Sequence, residues 1–211
     1  MRILDVVQGS PEWVAARLGI PTASRFDSIL TPKTRKPSAS QAKYLCELLA
    51  ERFVGFPMGP EASAFMERGS SLEADAVTAY EFAHDCDTRK VGVILSDCGR
   101  WACSPDRLVG DEGLAEFKCL AAQNHVAALL GEKDVDHFAQ AQGQLWIAGR
   151  EWVDLNFYNP VLPSHEVRFG RDEEFIGLLA EEVEAFAVRL DEAEKALRAT
   201  HAFADKGKSA A

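Results

Sequence analysis

Two short stretches, Ser104-Pro105-Asp106-Arg107-Leu108-Val109 and Leu114-Ala115-Glu116-Phe117-Lys118-Cys119, decide the fold of this 211-residue chain. Both are typical of β-strands, and the Gly110-Asp111-Glu112-Gly113 segment between them is typical of a turn. The ten-residue spacing of Asp106 and Glu116 predicts a hairpin in which the two side chains lie opposite each other, with Cβ atoms about 5 Å apart. The sequence therefore predicts two carboxylates side by side.

The second strand places a lysine side chain beside these carboxylates. Side chains alternate along a strand, so Glu116 and Lys118 share one face and Phe117 packs on the other. Two neighbouring carboxylates repel each other, and a hard divalent cation such as Mg²⁺ or Mn²⁺ allows both to stay ionised. Such an ion activates water and polarises phosphoryl oxygens, so the pattern favours phosphodiester hydrolysis, although a solvent-exposed strand would explain the same residues.

Helical and strand-like patterns alternate along the rest of the chain. Helices are predicted over 10–18, from 22 or 24 onward, over 41–53, 61–84, 122–130 and 136–149 with Asp136 as cap, and over 171–199. Strands are predicted at 88–95, 100–104, 106–109, 114–119, 152–158 and 165–169, the first four as a meander of hairpins. The pattern indicates an α/β (α+β) domain with a central mixed sheet flanked by helices. Residues 31–40 are predicted to be a mobile basic loop.

Composition limits the compartment and the partners. The net charge is −10, yet residues 1–60 carry +3, so a polyanion is expected to meet the amino-terminal part. The amino terminus does not resemble a signal peptide, and we expect no membrane contact. Five scattered cysteines without CxxC spacing favour neither a disulfide framework nor a zinc ribbon, which is consistent with a cytoplasmic location.

Five motifs, in order and with compatible gaps, resemble the phage lambda exonuclease and the YqaJ-like viral recombinase nucleases of the PD-(D/E)xK superfamily. The similarity runs from about Gly9 to Tyr158, and its motifs are ARLGIPTAS at 16–24, ERGSSLEADAVTAYEF at 67–82, ACSPDRLV at 102–109, LAEFKC at 114–119 and HFAQAQGQLWIAG at 137–149. The resemblance implies a restriction-endonuclease-like core. A single nuclease domain over 1–200 with a frayed tail over 201–211 is the expected organisation.

The resemblance also implies roles for individual residues. Asp106, Glu116 and the Phe117 backbone carbonyl would bind magnesium, and Lys118 would be the catalytic lysine. Glu73 would serve a second metal or its water, and Gln140 would support the lysine and the attacking water. Without the resemblance, Glu73 and Gln140 would be interpreted as ordinary helix-surface side chains.

A pocket for a terminal 5′-phosphate is implied by three further matches: Arg17, Ser24 and Ser104. An arginine can donate two hydrogen bonds to phosphate, and Ser24 lies where a helix amino terminus would offer backbone N–H groups. The alternative to phosphate binding is a purely structural role, in which Arg17 forms a salt bridge near the end of a helix.

One position departs from the family. The lambda member has an arginine six residues after its catalytic lysine, whereas this chain has Asn124 there, followed by His125. Either the preference for a 5′-phosphate is weaker, or another cation such as Arg25 or Arg107 replaces the missing one.

The implied function is a Mg²⁺-dependent 5′ to 3′ exonuclease on linear double-stranded DNA. It would use two Mg²⁺ ions per site, with Mn²⁺ as a substitute, and leave 3′ single strands for recombination by strand annealing. A ring-shaped homotrimer and a single-strand annealing recombinase are the implied partners. A site-specific or structure-specific endonuclease of the same superfamily and a non-catalytic DNA-binding module stay open as alternatives.

The basic run at 33–36 and the tryptophans each allow a structural and a functional interpretation. The Lys33-Thr34-Arg35-Lys36 run is either a solvated loop or a contact to the DNA backbone. The tryptophans are expected in the core, with Trp13 as the one candidate for a role at DNA.

Overall fold

The computed structural model describes residues 1–58, 65–132 and 137–200, including the side chains of all of these except residues 65–71. The strands in this part of the chain are β1 (Arg2–Leu4), β2 (Leu30–Thr31), β3 (Lys36–Pro37), β4 (Thr88–Lys90), β5 (Val93–Leu95), β6 (Ala102–Cys103), β7 (Arg107–Val109), β8 (Gly113–Cys119), β9 (Trp152–Tyr158) and β10 (His165–Gly170). The helices are α1 (Pro11–Arg17), α2 (Gln41–Val54), α3 (Phe65–His84), α4 (Ala122–Leu129), α5 (Phe138–Ala148) and α6 (Glu173–Arg198), with a 3-10 helix over Ala23–Ser28.

A five-stranded mixed sheet forms the centre of the fold, in the order β10-β9-β8-β7-β4. Strands β8 and β9 run parallel, and every other neighbouring pair in this sheet is antiparallel. In the β7–β8 hairpin, Arg107 pairs with Ala115 and Val109 with Gly113. The predicted hairpin is confirmed, and continuing its register sets Asp106 beside Glu116.

Helices cover both faces of this sheet. Ala115 and Phe117 of β8 pack against α3, where their cluster includes Tyr80. Leu114 faces the opposite way and joins the largest core cluster, which α5 and α6 complete. Because Glu116 and Lys118 share the face of Leu114, they lie under α5. The predicted mixed sheet flanked by helices, with Phe117 turned away from the two polar side chains, is confirmed.

The predicted meander of hairpins is present, since β5 pairs with β6, β4 with β7 and β7 with β8, but its first strand divides between two sheets. Strand β4 pairs with β7 in the central sheet, whereas β5 joins β1 and β6 in a separate three-stranded sheet. Gly92 lies at the division, where a Cβ atom would be 2.3 Å from the Val6 carbonyl oxygen. The close approach of the amino-terminal segment therefore requires glycine there and interrupts the strand.

The segment over 31–40 differs from the predicted mobile loop. Strands β2 and β3 pair there as a short hairpin, and Arg35 lies in its turn with φ of 51°. The Arg35 guanidinium binds Asp172 at 2.7 Å and Glu174 at 3.0 Å, at the start of α6. These partners are almost 140 residues away in sequence, so local composition could not reveal them.

Other expectations meet smaller changes. The second predicted helix is the 3-10 helix, and Leu30 lies in β2 instead. The expected cap Asp136 and the expected tail over 201–211 lie outside the described residues. Among the described helices, none is both long and apolar enough to span a membrane. The five cysteines are free thiols.

Gly143 lets α5 approach the 3-10 helix, and its replacement is expected to destabilise the fold. A Cβ atom there would lie 2.4 Å from the Phe26 ring, so Gly143→Ala should lower the free energy of unfolding by about 1–3 kcal/mol through overpacking. Urea unfolding measures the change. Gly177→Ala in α6 is the matched control, since a Cβ atom there meets nothing within 4 Å and alanine favours helix by up to about 1 kcal/mol. Equal effects of the two substitutions would contradict the close contact.

Candidate active site

The β7–β8 hairpin brings the two predicted carboxylates together. Asp106 precedes β7, and its Oδ2 atom accepts a hydrogen bond of 2.7 Å from the Phe117 backbone N–H across the hairpin. Glu116 lies next to Phe117 on β8, and 6% of its surface is exposed. The structure therefore sets Asp106 opposite Glu116, as predicted, and the Phe117 backbone N–H holds the Asp106 carboxylate in place.

Three side chains bind the Glu116 carboxylate. The Lys118 ammonium donates to Oε1 at 2.8 Å and the Gln140 amide donates to the same atom at 2.6 Å. The Gln144 amide donates to Oε2 at 2.7 Å. Lys118 also donates to the Gln140 Oε1 atom at 3.3 Å, which closes a ring of contacts between lysine, glutamate and glutamine.

Helix α5 supplies both glutamines because residues four positions apart share one face of a helix. Gln140 was predicted from the resemblance, whereas Gln144 was not. The AQAQGQ segment carries the signal that could have found it, since Gln144 is one helical turn beyond Gln140. Gln144 is 2% exposed, and its Oε1 atom has no hydrogen-bond partner in the described part of the chain. Its amide is thus committed to Glu116.

The two carboxyl groups have opposite pKa shifts. Burial and the charge of Glu116 raise the pKa of Asp106 well above its ordinary value, against the charge of Lys118 and the Phe117 N–H. Burial also opposes ionisation of Glu116, but the Lys118 charge and the hydrogen bonds from Lys118, Gln144 and Gln140 outweigh it and lower the pKa of Glu116. The partners of the site thus stabilise the ionised form of Glu116 but not that of Asp106.

Glu73 of α3 reaches the same region but is bound to a cation. Its Oε1 atom lies 3.4 Å from the Arg107 guanidinium, which also donates to the Asp106 carbonyl oxygen at 2.8 Å. Among the described residues, Glu73, Asp106 and Glu116 do not bring one oxygen each within 4.8 Å of one another. The third predicted carboxylate is therefore near the site but not gathered with the other two.

The donor set suits a hard divalent cation. Carboxylate and carbonyl oxygens are the ligands that Mg²⁺ and Mn²⁺ prefer. A cation between Asp106 and Glu116 would relieve the repulsion that raises the pKa of Asp106. The residues fit magnesium, with Asp106, Glu116 and the Phe117 carbonyl as the candidate ligands.

Trp13 connects the three residues of the predicted phosphate pocket, because it contacts both Arg17 and Ser104, and Arg17 contacts Ser24. The Arg17 guanidinium stacks 3.8 Å from the centre of the Trp13 ring and lies 3.5 Å from the Ser24 hydroxyl. The Trp13 indole N–H donates to the Ser104 hydroxyl at 3.2 Å. Thr22 adds a hydroxyl 3.2 Å from that of Ser24. Because Ser104 is two residues before Asp106, this polar group adjoins the carboxylates.

The positions that depart from the family do not replace the missing arginine. His125 is fully buried, and its Nε2 atom is 2.8 Å from the Pro163 carbonyl oxygen, while Asn124 is exposed. Arg25 is bound to Glu47 at 2.9 Å. Arg107 is the candidate replacement that lies beside the carboxylates.

A separate polar cluster lies where α3 ends over β9 and β10. His84, Asp154 and Glu166 bring one ligand atom each within 4.8 Å of one another. Arg168, however, donates to both Asp154 oxygens at 2.6 and 2.7 Å, and the Tyr80 hydroxyl donates to Asp154 at 2.7 Å. The buried Asp154 carboxylate is therefore already neutralised, and the cluster ties α3 to the edge strand.

The chain is similar to two exonucleases of known structure. The chain is 33% identical to an alkaline exonuclease from Laribacter hongkongensis, with a TM-score of 0.79 over 90% of this chain and 96% of that one. A second structure of that exonuclease holds dAMP. A phage-related exonuclease from Haemophilus somnus shares the fold at 16% identity, with a TM-score of 0.70 over 84% of this chain and 96% of that one. A search of curated proteins finds no match.

The fold is thus the restriction-endonuclease-like fold of these alkaline exonucleases. A family model, the YqaJ-like viral recombinase domain, matches residues 12–151. The chain belongs to the YqaJ-like viral recombinase family, as its motifs predicted.

Replacing Asp106 by asparagine is expected to stabilise the metal-free protein. A carboxyl group whose pKa is raised by folding stabilises the fold at low pH, and this contribution is lost as the pH rises through the folded-state pKa. At pH 8, Asp106→Asn removes the cost of burying this charge and its repulsion from Glu116, and should raise the melting temperature in EDTA by roughly 2–4 °C, or about 1 kcal/mol. The same variant should lose the stabilisation that Mg²⁺ gives the unmodified protein. A lower melting temperature in EDTA would argue against the raised pKa.

Proposed function

We propose that this chain is a Mg²⁺-dependent 5′ to 3′ exonuclease on linear double-stranded DNA, which leaves 3′ single strands for recombination by strand annealing. The observation that carries the proposal is the ring of contacts among Glu116, Lys118 and Gln140 beside Asp106. The 33% identical alkaline exonuclease supports a nuclease assignment, and its complex with dAMP is consistent with a mononucleotide product.

Asp106, Glu116 and the Phe117 carbonyl would hold one Mg²⁺ ion, and Glu73 would hold a second ion or its water, with Mn²⁺ as a substitute. When bound, these ions would polarise the scissile phosphate and lower the pKa of the attacking water. The protein's own residues would position that water. Gln140 offers an amide oxygen that already accepts a hydrogen bond from Lys118, so both side chains can orient a water next to the carboxylates.

Lys118 would carry the charge that the reaction requires. Its ammonium lies between Glu116 and Gln140 and is mostly buried, so it can offset negative charge that develops on the phosphate oxygens. Water attacks the phosphorus atom, and the bond to the O3′ atom of the terminal nucleotide breaks. The products are a 5′-mononucleotide and a shortened strand with a new 5′-phosphate.

The pocket of Arg17, Ser24 and Ser104 would bind that 5′-phosphate. Stacking on Trp13 fixes the Arg17 guanidinium, and an arginine in a fixed orientation recognises phosphate with two parallel hydrogen bonds. Because each cleavage regenerates a 5′-phosphate, the same pocket can bind every new end. The loss of the family's other arginine at Asn124 leaves Arg17 with the larger share of this recognition.

A homotrimeric ring and a single-strand annealing recombinase partner accompany this proposal. An acidic chain gains little from general attraction to phosphate, so a ring that encloses the DNA would keep the enzyme on its substrate without it. The resemblance to the lambda exonuclease implies both partners.

The lysine provides the test of the activity. Linear duplex DNA with a label at the 5′ or the 3′ end is incubated with Mg²⁺ or EDTA, beside a covalently closed circle. The unmodified protein should release only the 5′ label, need Mg²⁺ and spare the circle. Lys118→Ala should abolish release while DNA binding stays within about twofold, since one lysine adds little to total binding but much to the transition state.

Lys195→Ala on the exposed side of α6 is the control and should behave as the unmodified protein. Cutting of the circle would favour the endonuclease alternative. No cleavage at all would favour a DNA-binding module.

Arg17 is expected to control the preference for a phosphorylated end. A charged hydrogen bond of about 1.5–3 kcal/mol corresponds to roughly 10- to 150-fold in rate between 5′-phosphate and 5′-hydroxyl ends. Arg17→Ala should bring this ratio close to one and leave cleavage of 5′-hydroxyl ends almost unchanged. Arg189→Ala, an exposed arginine of α6, is the matched control. An unchanged ratio in Arg17→Ala would refute the pocket.

A further inference from the structure

Arg107 introduces a fixed positive charge between the elements that carry the candidate metal ligands. It follows Asp106 directly, and alternation along β7 turns its side chain toward α3 and Glu73. The guanidinium lies 3.4 Å from the Glu73 carboxylate and donates to the Asp106 carbonyl oxygen at 2.8 Å. The Arg107 side chain is only 13% exposed, so it is part of the site and not a free surface group.

The charges of the site limit how many divalent cations it can bind alone. Glu73, Asp106 and Glu116 offer three negative charges when ionised, and Lys118 and Arg107 offset two of them. One divalent cation would leave the site at +1, and a second would leave it at +3. A second ion would therefore bind weakly until the phosphates of DNA add negative charge.

The location of Glu73 also disfavours binding of a second cation in the absence of DNA. Glu73 is bound to Arg107 and is not gathered with Asp106 and Glu116. A guanidinium exchanges readily from a single carboxylate contact to a phosphate, which it binds through two hydrogen bonds. Arrival of a DNA phosphate would free the Glu73 carboxylate for a cation.

We propose that Arg107, by holding Glu73, makes binding of the second metal ion depend on the DNA phosphate. This inference rests on the proposed nuclease function and assigns Arg107 as a positioning residue within it. The free protein binds one ion tightly, at Asp106 and Glu116. The second ion binds tightly only after the DNA, so the protein without DNA does not hold both metal ions tightly.

The test measures Mn²⁺ binding without cleavage. Free Mn²⁺ is followed by electron paramagnetic resonance as metal-free protein is titrated in the absence of DNA. The unmodified protein should bind one ion tightly and a second at least tenfold more weakly. Arg107→Met should tighten the second ion at least tenfold, and adding Glu73→Gln to that variant should remove the gain.

Two further variants make the comparison decisive. Arg89→Met replaces an exposed arginine on the adjacent strand β4 and should leave both affinities unchanged. Arg107→Gln keeps a polar side chain without the charge; it should also tighten the second ion, and it replaces Arg107→Met if thermal unfolding shows that the methionine variant does not fold.

The outcomes separate the two proposals. Two equally tight ions in the unmodified protein, or identical titrations of the unmodified and Arg107 variants, would overturn the role of Arg107 and leave the nuclease proposal intact. No tight ion in any variant would instead overturn the metal site on which both proposals rest.

Discussion

The buried Glu116 carboxylate is the constraint on which the rest of the site depends. A buried charge is stable only when its partners are complete, and here Lys118, Gln140 and Gln144 provide them. Two of these partners come from α5, so the helix must lie directly over β8. The close contact of α5 with the 3-10 helix then sets Ser24 near the same edge of the sheet. One carboxylate thus links the sheet, α5 and the candidate phosphate pocket.

The sequence predicts the centre of this arrangement because its signals are local. The β7–β8 hairpin is encoded by two strand-like stretches and a turn within sixteen residues, so alternation alone sets Glu116 and Lys118 on one face and Phe117 on the other. The family resemblance adds Gln140, Arg17, Ser24 and Ser104, and the structure brings each of them near the carboxylates.

The features that sequence reasoning missed depend on contacts between distant segments. Arg35 looks like part of a solvated basic run until α6 supplies its acids. The break at Gly92 is visible only when the amino-terminal segment lies against it. The Arg107 contact to Glu73 joins β7 to α3 across 34 residues, and no spacing rule relates them. Such pairings follow from tertiary packing, which local propensity does not encode.

Helix α6 neutralises part of the basic amino-terminal region from within the same chain. Arg52 binds Asp191 at 2.8 Å and Glu194 at 2.7 Å, in addition to the Arg35 contacts at the other end of the helix. Cations already bound to carboxylates displace few counterions from DNA. The number of phosphates a protein neutralises sets how steeply its affinity falls with salt. For the proposed nuclease, binding to DNA should therefore have a shallow salt dependence.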